Sequence, residues 1–264
     1  MPPTKRSPDL FHFKNFSIRQ DRCAMKVNTD GILLGAWTPL PEQQEARVLD
    51  IGCGTGLIAL LLAERLPQAR VVAVEIDAAA AEQAAENVLA SPYADRIEVI
   101  PQAIQSYLAA NRGPANLTDS AFDLIVSNPP FFSGGVLSDQ ANRTNARHTL
   151  KLSHSDLLGA VRDLLSPAGR FAVILPLIEG LRLIELAASY GLCLEQKLEV
   201  RPRRGKSVHR LLLCFRKANR QIAAAEDLSA LDERPRQELV HYETDNRWTE
   251  EFRALVADYY QKPS

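Results

Sequence analysis

The sequence predicts an open α/β fold, a mostly parallel doubly wound sheet with helices on both faces, ending in an antiparallel strand pair. Three observations carry that prediction. From Arg47 onward, short apolar, β-branched runs alternate with longer stretches of helical periodicity, the pattern of repeated βα units. A glycine-rich loop, Gly52-Cys53-Gly54-Thr55-Gly56, falls at the first strand-to-helix turn. Near the end, Cys193–Val200 and Ser207–Arg216 read as strands joined only by the basic loop Arg201–Lys206, so they pair antiparallel.

The elements follow in order. Met1 to about Pro8 is polar and proline-rich and is expected to be disordered. Phe11, Phe13, Phe16 and Ile18 alternate with polar residues, as in a short edge strand or hairpin arm. Asp21–Trp37 ends in a leucine-rich helical piece that Pro39 and Pro41 close. Arg47–Ile51 is the first strand of the repeat, and Leu57–Leu66 a helix apolar on most faces. Arg70–Ile76 and Asp77–Leu89 form the second strand and an alanine-rich helix capped by Asp77. Arg96–Ile100 and Gln102–Asn111 are the third pair, and Arg112–Ser120 a polar linker. Ala121–Ser127 is the fourth strand, followed by a long loop, Phe132 to about Ser153. Ser153 caps a helix over His154–Leu165, and Pro167-Ala168-Gly169 turns into the fifth strand, Arg170–Leu175. Ile178–Tyr190 is helical and stops at Gly191. After the strand pair the chain is charged, with a terminal helix over Thr249–Tyr260. The expected organisation is one domain over 1–264: an N-terminal extension (1–40), an α/β core (46–217) and a C-terminal tail (218–264).

Composition narrows the function classes. Of 264 residues, 46% are hydrophobic, enough for a sizeable core, and no apolar run approaches bilayer-spanning length. The opening residues lack the charged-then-apolar pattern of a secretory signal, so a cytoplasmic protein is expected. Cys23, Cys53, Cys193 and Cys214 are scattered, which favours free thiols over disulfides or zinc. His148, His154 and His209 lack metal-ligand spacing, and no metal is expected. The formal net charge is −1, but it is unevenly placed: Arg201–Arg220 holds eight Lys/Arg and no acid, whereas from Gln221 onward acids outnumber bases two to one. A near-neutral chain can therefore carry a local basic patch. Arg201, Arg203, Arg204, Lys206 and Arg210 form the best candidate for phosphate binding, joined by Arg143 and Arg147 on the long loop; a solvated charged face is the alternative reading.

Chemistry concentrates at Asn128-Pro129-Pro130-Phe131, directly after the buried-type strand Phe122–Ser127. Two consecutive prolines remove two backbone donors and fix φ, so the turn is stiff. The Asn128 side-chain oxygen and the Pro129 carbonyl are both acceptors, and together they suit an amino group with two N–H donors. The aromatic ring of Phe131 offers a stacking face. The tetrad fits a planar, amine-bearing substrate such as adenine, cytosine or a carboxamide. At the glycine loop, the spacing G-x-G-x-G differs from the G-x-G-x-x-G of dinucleotide sites, and Asp50 stands two residues before Gly52. A carboxylate there disfavours a pyrophosphate and favours an ammonium-bearing ligand, against a nicotinamide-dependent oxidoreductase. Glu75, nineteen residues after Gly56, ends the second strand, where a carboxylate can accept both hydroxyls of a ribose.

Together, Asp50–Gly56, Glu75 and Asn128–Phe131 resemble the class I S-adenosylmethionine-dependent methyltransferases, in which Asn-Pro-Pro-aromatic marks amino-group methylation of adenine, guanine or protein glutamine. The flanks are more specific. Asp21-Arg22-Cys23-Ala24-Met25-Lys26-Val27, Thr29–Trp37, Gln83–Ala94, Asn128–Phe132, His209-Arg210-Leu211-Leu212 and Tyr259-Tyr260 are similar to the bacterial tRNA1(Val) adenine-N6-methyltransferase family. The similarity runs from about Phe11 onward and is strongest in the first 130 residues. It implies a Rossmann-like methyltransferase fold, S-adenosylmethionine as cofactor, and tRNA as partner, with the adenosine 3′ of the anticodon as target. No membrane partner is implied, and a monomer is expected. It further implies that Asp50, Gly52, Gly54, Gly56 and Glu75 hold the cofactor. Lys26, Thr29 and Asp30 close over its amino-acid end, with Asp30 toward the ammonium and Lys26 toward the carboxylate. Related enzymes often carry an acid after the third strand; here Ala103 takes that place and leaves its backbone N–H for the cofactor adenine. The alternative substrates under the same tetrad are a protein glutamine side chain or an rRNA guanine amine. A cofactor-binding scaffold without catalysis is disfavoured by the intact tetrad.

Overall fold

A computed structural model describes residues 9–111, 121–130, 152–218 and 237–260. The expected disorder of Met1–Pro8, the linker Arg112–Ser120, most of the long loop with Phe132, Arg143, Arg147 and His148, and Phe131 itself lie outside the described residues.

The chain enters through a two-stranded antiparallel hairpin, β1 (Leu10–His12) and β2 (Ser17–Arg19), separate from the main sheet. Helix α1 (Thr29–Trp37) follows. The βα repeat comprises β3 (Arg47–Ile51), α2 (Leu57–Arg65), β4 (Arg70–Glu75), α3 (Ala78–Leu89), β5 (Ile97–Pro101), α4 (Ile104–Asn111) and β6 (Phe122–Ser127). Then come α5 (His154–Leu164), β7 (Leu165–Pro176), α6 (Leu177–Ala187), β8 (Leu192–Arg203), β9 (Arg210–Lys217), β10 (Gln237–Tyr242) and α7 (Glu250–Val256). Among the described residues, eight strands form one sheet in the order β10-β8-β9-β7-β6-β3-β4-β5. Strands β7, β6, β3, β4 and β5 are mutually parallel, and β9 runs antiparallel to β7 and β8, as the expected strand pair requires. The chain moves outward from β3 through β4 to β5, then crosses back to β6 on the other side of β3. That reversal is the switch point where open α/β sheets place ligands, at the carboxyl ends of the strands.

Two apolar layers cover the sheet. On one face, Val48, Leu124, Val126 and Ile174 pack with α1, α2, α3 and α7; on the other, Leu49, Ile51, Ile125 and Val173 pack with α4, α5 and α6. The alternation along β3 is that of a strand buried on both sides. Helices α1 and α2 approach closely because α1 carries Gly31 and Gly35: a Cβ on Gly35 would lie 2.5 Å from Leu61 Cδ1.

Two expectations need correction. The charged C-terminal tail contains an additional strand, β10, parallel to β8 at the sheet edge. Its residues, Gln-Glu-Leu-Val-His-Tyr, hold only the short apolar core Leu239-Val240, both buried, because an edge strand packs less of its length. Strand β7 also begins at Leu165 rather than Arg170. Its pairing with β6 shifts register between Phe122 and Leu124, so the Pro167–Gly169 stretch is absorbed as an irregularity within the strand. Gly169 suits that spot, since a Cβ there would sit 2.8 Å from the Phe122 carbonyl oxygen.

Both ends of the chain join one core. Phe13 and Phe16 stack at 4.8 Å, Tyr260 meets Phe11 and Phe13 at 6.2 Å, and the Lys14 N–H donates to the Tyr259 carbonyl at 2.9 Å. Phe252 of α7 is buried against His241 and Trp248, with ring centroids 4.0 and 5.1 Å away. Phe252→Ala is therefore expected to lower stability by about 3–5 kcal/mol in urea denaturation. A loss below about 1 kcal/mol would show that the terminal helix is an appendage to the core.

Candidate active site

The glycine loop sits at the carboxyl end of β3. Gly52, Gly54 and Gly56 have φ of 74°, 54° and 80°, a run of left-handed positions that residues with a Cβ rarely adopt. The Gly52 and Cys53 N–H groups donate to the Val74 carbonyl at 2.8 and 3.2 Å, which ties the loop to β4. A Cβ on Gly52 or Gly54 would meet nothing within 4 Å, so the described residues leave open space beside both.

Helix α2 starts at Gly56, which has no side chain to cap it. Asp50 does that work from inside the sheet: its Oδ2 accepts the Ala59 N–H at 3.1 Å. The side chain is fully buried, and burial pushes its carboxyl up to about 7, against the pull of the Ala59 hydrogen bond and with Glu75 adding to the rise. Asp50 thus stands behind the loop rather than displaying a charge across it. Its second oxygen, Oδ1, has no partner among the described residues.

Glu75 ends β4, one strand away, and is also nearly buried. Its Oε2 accepts the Gly54 N–H and its Oε1 the Asp77 N–H, both at 2.9 Å. Each oxygen keeps a lone pair for a hydroxyl. Asp77 caps α3 by accepting the Ala80 N–H at 2.9 Å, as its sequence position suggests. One strand further on, Glu75 pairs with Pro101 of β5, and Ala103 lies just beyond, where its carbonyl accepts the Tyr107 N–H at 3.0 Å and starts α4.

On the other side of β3, Ile51 pairs with Ser127 of β6, and the Ser127 hydroxyl donates to the Ile51 carbonyl at 2.8 Å. Asn128 therefore emerges level with Gly52, one strand away. Pro129 is buried and Pro130 exposed. The Asn128 Oδ1 is buried without a partner among the described residues. Among the described residues, four buried side-chain polar atoms lack a partner, and two of them, Asp50 Oδ1 and Asn128 Oδ1, belong to neighbouring strands at this edge. Such atoms are rare in folded proteins and mark acceptors awaiting a donor.

Most of the remaining predicted residues that are described acquire protein partners. Lys26 Nζ lies 3.1 Å from Asp9 Oδ1, both half exposed. Thr29 opens α1, whose first turn abuts the glycine loop: a Cβ on Gly31 would lie 2.9 Å from Leu57 Cδ2, at the start of α2. Asp30 is bound by Arg210, Nε to Oδ2 at 2.8 Å, so two residues expected in different roles meet each other. The basic loop is largely neutralised by the acidic tail. Arg201 pairs with Glu238 at 2.9 Å, Arg204 grips Glu243 at 2.7 and 2.9 Å, and Arg203 bonds the neutral amide of Asn246. Lys206 has no ion pair among the described residues, where no cluster of metal-ligating side chains occurs either.

Two positions that shape the site escaped residue-level sequence reasoning. Asn87 and Gln83 are buried amides on α3. Asn87 Nδ2 donates to the carbonyls of Arg19 and Thr55, each at 2.9 Å, while its Oδ1 accepts the Arg19 N–H at 2.8 Å. Gln83 Oε1 accepts the Arg22 N–H at 3.0 Å, and its Nε2 donates to Asp21 Oδ1 at 2.7 Å. These amides pin the glycine loop and the N-terminal segment to one helix. Their signal was two amides spaced i, i+4 on an otherwise alanine-lined face.

A parallel sheet with helices on both faces, a left-handed glycine loop and a stiff Asn-Pro-Pro turn one strand away define a Rossmann-like methyltransferase. Residues 32–151 match the family model described as the methyltransferase small domain. Two relatives, from Dickeya chrysanthemi and Tolumonas auensis, are each 42% identical to this chain; they are matched over 95% of it and 93% of theirs, and over 96% and 98%, respectively. Both are named tRNA1(Val) (adenine(37)-N6)-methyltransferase, and this chain belongs to that family. Among solved structures, a predicted O-methyltransferase from Agrobacterium tumefaciens shares the fold, with a TM-score of 0.59 at 20% identity over 87% of this chain and 96% of that one.

Two predictions follow from the site's construction. Asn87→Ala strips three hydrogen bonds and is expected to cost about 1–3 kcal/mol of stability, measured by denaturant midpoint; an unchanged midpoint would mean that the amide does not hold the loop. Asp50 has a folded pKa of about 7, above its unfolded value of about 3.9. Its contribution to folding is thus present in full below about pH 4 and is lost as the pH rises toward about 7. In the ligand-free protein, the melting temperature of Asp50→Asn relative to the parent should climb across that window, and a difference independent of pH would refute the buried-acid reading.

Proposed function

We propose that this chain transfers a methyl group from S-adenosylmethionine to the exocyclic N6 of the adenosine 3′ of the anticodon, position 37, in tRNA1(Val). The observation that carries the reading is the buried Asn128 Oδ1, unpartnered among the described residues and one strand from the open glycine loop. Family membership supplies the substrate.

The residues fit the cofactor. Gly52 and Gly54 leave open space at the switch point, Glu75 keeps acceptor capacity for two ribose hydroxyls, and the orphaned Asp50 Oδ1 sits behind the loop. Glu75 would hold the ribose, the Ala103 N–H the adenine, and the first turn of α1 at Thr29 and Asp30 the amino-acid end, with Lys26 on the same segment. S-adenosylmethionine, when bound, supplies an electrophilic sulfonium methyl. The chain's own task is to make a poor nucleophile reactive, because the adenine amino lone pair is delocalised into the ring. The Asn128 oxygen and the Pro129 carbonyl accept its two hydrogens and draw them out of the ring plane, which localises that lone pair on nitrogen. Positive charge then grows on the nitrogen, so the same acceptors favour the transition state over the ground state. The proton leaves to water. Phe131, which follows the Pro129-Pro130 turn in sequence, is assigned the stacking face for a base taken out of the loop stack. Each assigned residue comes from one chain, and the reading takes the enzyme to be a cytoplasmic monomer.

The test is incubation with methyl-labelled S-adenosylmethionine and unmodified total tRNA, followed by digestion to nucleosides. Label is expected in N6-methyladenosine. Asn128→Ala should lower kcat by roughly 100- to 1000-fold, with cofactor binding retained. No label in tRNA, with cofactor binding intact, would overturn the assignment.

A further inference from the structure

A cleft of about 650 Å³ opens at the carboxyl edge of the sheet, between the first turn of α1 and the tops of β8, β9 and β10. Its volume is that of an ordinary small-ligand site. Arg203, Lys206 and Arg210 line it together with Asp30, His241 and Tyr242. None of the methyl-transfer chemistry requires His241, Tyr242 or Lys206.

Three observations bear on what the cleft takes. The first is charge. Arg210 is matched by Asp30, but Arg203 is held by a neutral amide and Lys206 has no ion pair among the described residues, so two positive charges are available there. The second is the aromatic pair. The rings of His241 and Tyr242 stack with centroids 3.9 Å apart and planes 28° from parallel. Burial and the neighbouring His209 push the His241 pKa down to about 4, so that ring is neutral at physiological pH; packed on Phe252 at 4.0 Å, it backs the Tyr242 ring from the core side. The third is position. Arg210 opens β9, two strands from β6, and pairs with Pro176 at the top of β7. With about 4.8 Å between strands, the cleft begins roughly 10–15 Å from the Asn128 turn along the same edge. That distance is within reach of a neighbouring nucleotide on an extended strand.

Positive charge beside a flat aromatic surface is the chemistry that holds single-stranded nucleic acid, phosphate on the cations and base on the rings. We propose that this cleft is a second nucleotide subsite: it takes a nucleotide flanking the target adenosine, with Lys206 and Arg203 on its phosphate and the Tyr242 ring, backed by His241, against its base. The inference rests on the reading of the protein as an RNA methyltransferase. It also assigns β10 a function, since this strand both neutralises Arg201 and presents the aromatic pair.

The experiment is steady-state methylation of an unmodified tRNA1(Val) transcript by the parent, Lys206→Ala, Tyr242→Leu and Tyr242→Phe. Lys206→Ala and Tyr242→Leu should each raise the KM for RNA about tenfold, with kcat and the S-adenosylmethionine Kd unchanged. Tyr242→Phe, which keeps the ring, should restore the parent KM. A set of transcripts made abasic at single positions beside the target then locates the contact. One abasic position should raise KM for the parent and have no further effect on Tyr242→Leu. Lys206→Ala alters an exposed turn and keeps the test readable if Tyr242→Leu does not fold. An active parent whose KM is unmoved by either variant, or whose abasic effects are all additive with Tyr242→Leu, overturns the subsite. A parent that binds S-adenosylmethionine but methylates no RNA sinks the functional reading and the subsite with it.

Discussion

The hydrogen bond from the Ala59 N–H to the buried Asp50 carboxyl is the contact on which the rest of this edge depends. Three left-handed glycines bring the chain out of β3 and into α2 within one tight turn, but a glycine at the helix start cannot cap it. Asp50 supplies the missing acceptor from within the strand, at the cost of holding a carboxyl where no water reaches it. The same turn is held from the other side by Glu75, which takes the Gly54 N–H, and by Asn87, which donates to the Thr55 carbonyl. A loop with this much backbone freedom is thereby set in one shape.

The N- and C-terminal segments then complete the edge. Gln83 and Asn87 fasten residues 19–22 onto α3, and that segment leads into the first turn of α1 beside the glycine loop. At the far side, β10 lies parallel to β8 and brings Glu238 and Glu243 against Arg201 and Arg204. The uneven charge of the chain thus becomes a set of exposed ion pairs. Such pairs add little to stability. Their effect is to concentrate the unmatched positive charge at Arg203 and Lys206, beside the only aromatic pair that this strand presents to the cleft.

The order of strands and helices was readable from residue pattern alone. Each strand of the repeat is a short apolar run such as Val48-Leu49-Asp50-Ile51 or Leu124-Ile125-Val126, and each helix has an identifiable start, as at Asp77 and Ser153. The places of the two turns were readable too, because prolines restrict the backbone and glycines free it locally, whatever surrounds them. Strand β10 was not, since a two-residue apolar core in a charged segment becomes a strand only when an unpaired edge, here that of β8, is available to it. The register irregularity in β7 was hidden for a similar reason: Pro167-Ala168-Gly169 reads as a turn until β6 is beside it.

By itself, the sequence determined the α/β repeat, the glycine loop, the stiff Asn-Pro-Pro turn and the family, all of them properties of neighbouring residues along the chain. Only the tertiary structure decided which charges are free. Asp30 meets Arg210 across 180 positions of sequence, and Arg204 meets Glu243 across 39. Asp50, read from its position as a charge facing a ligand, lies fully buried beneath the helix it caps. The effective charge of a side chain depends on its solvent exposure and on its partner, and both are set by the packing of segments that lie far apart in sequence.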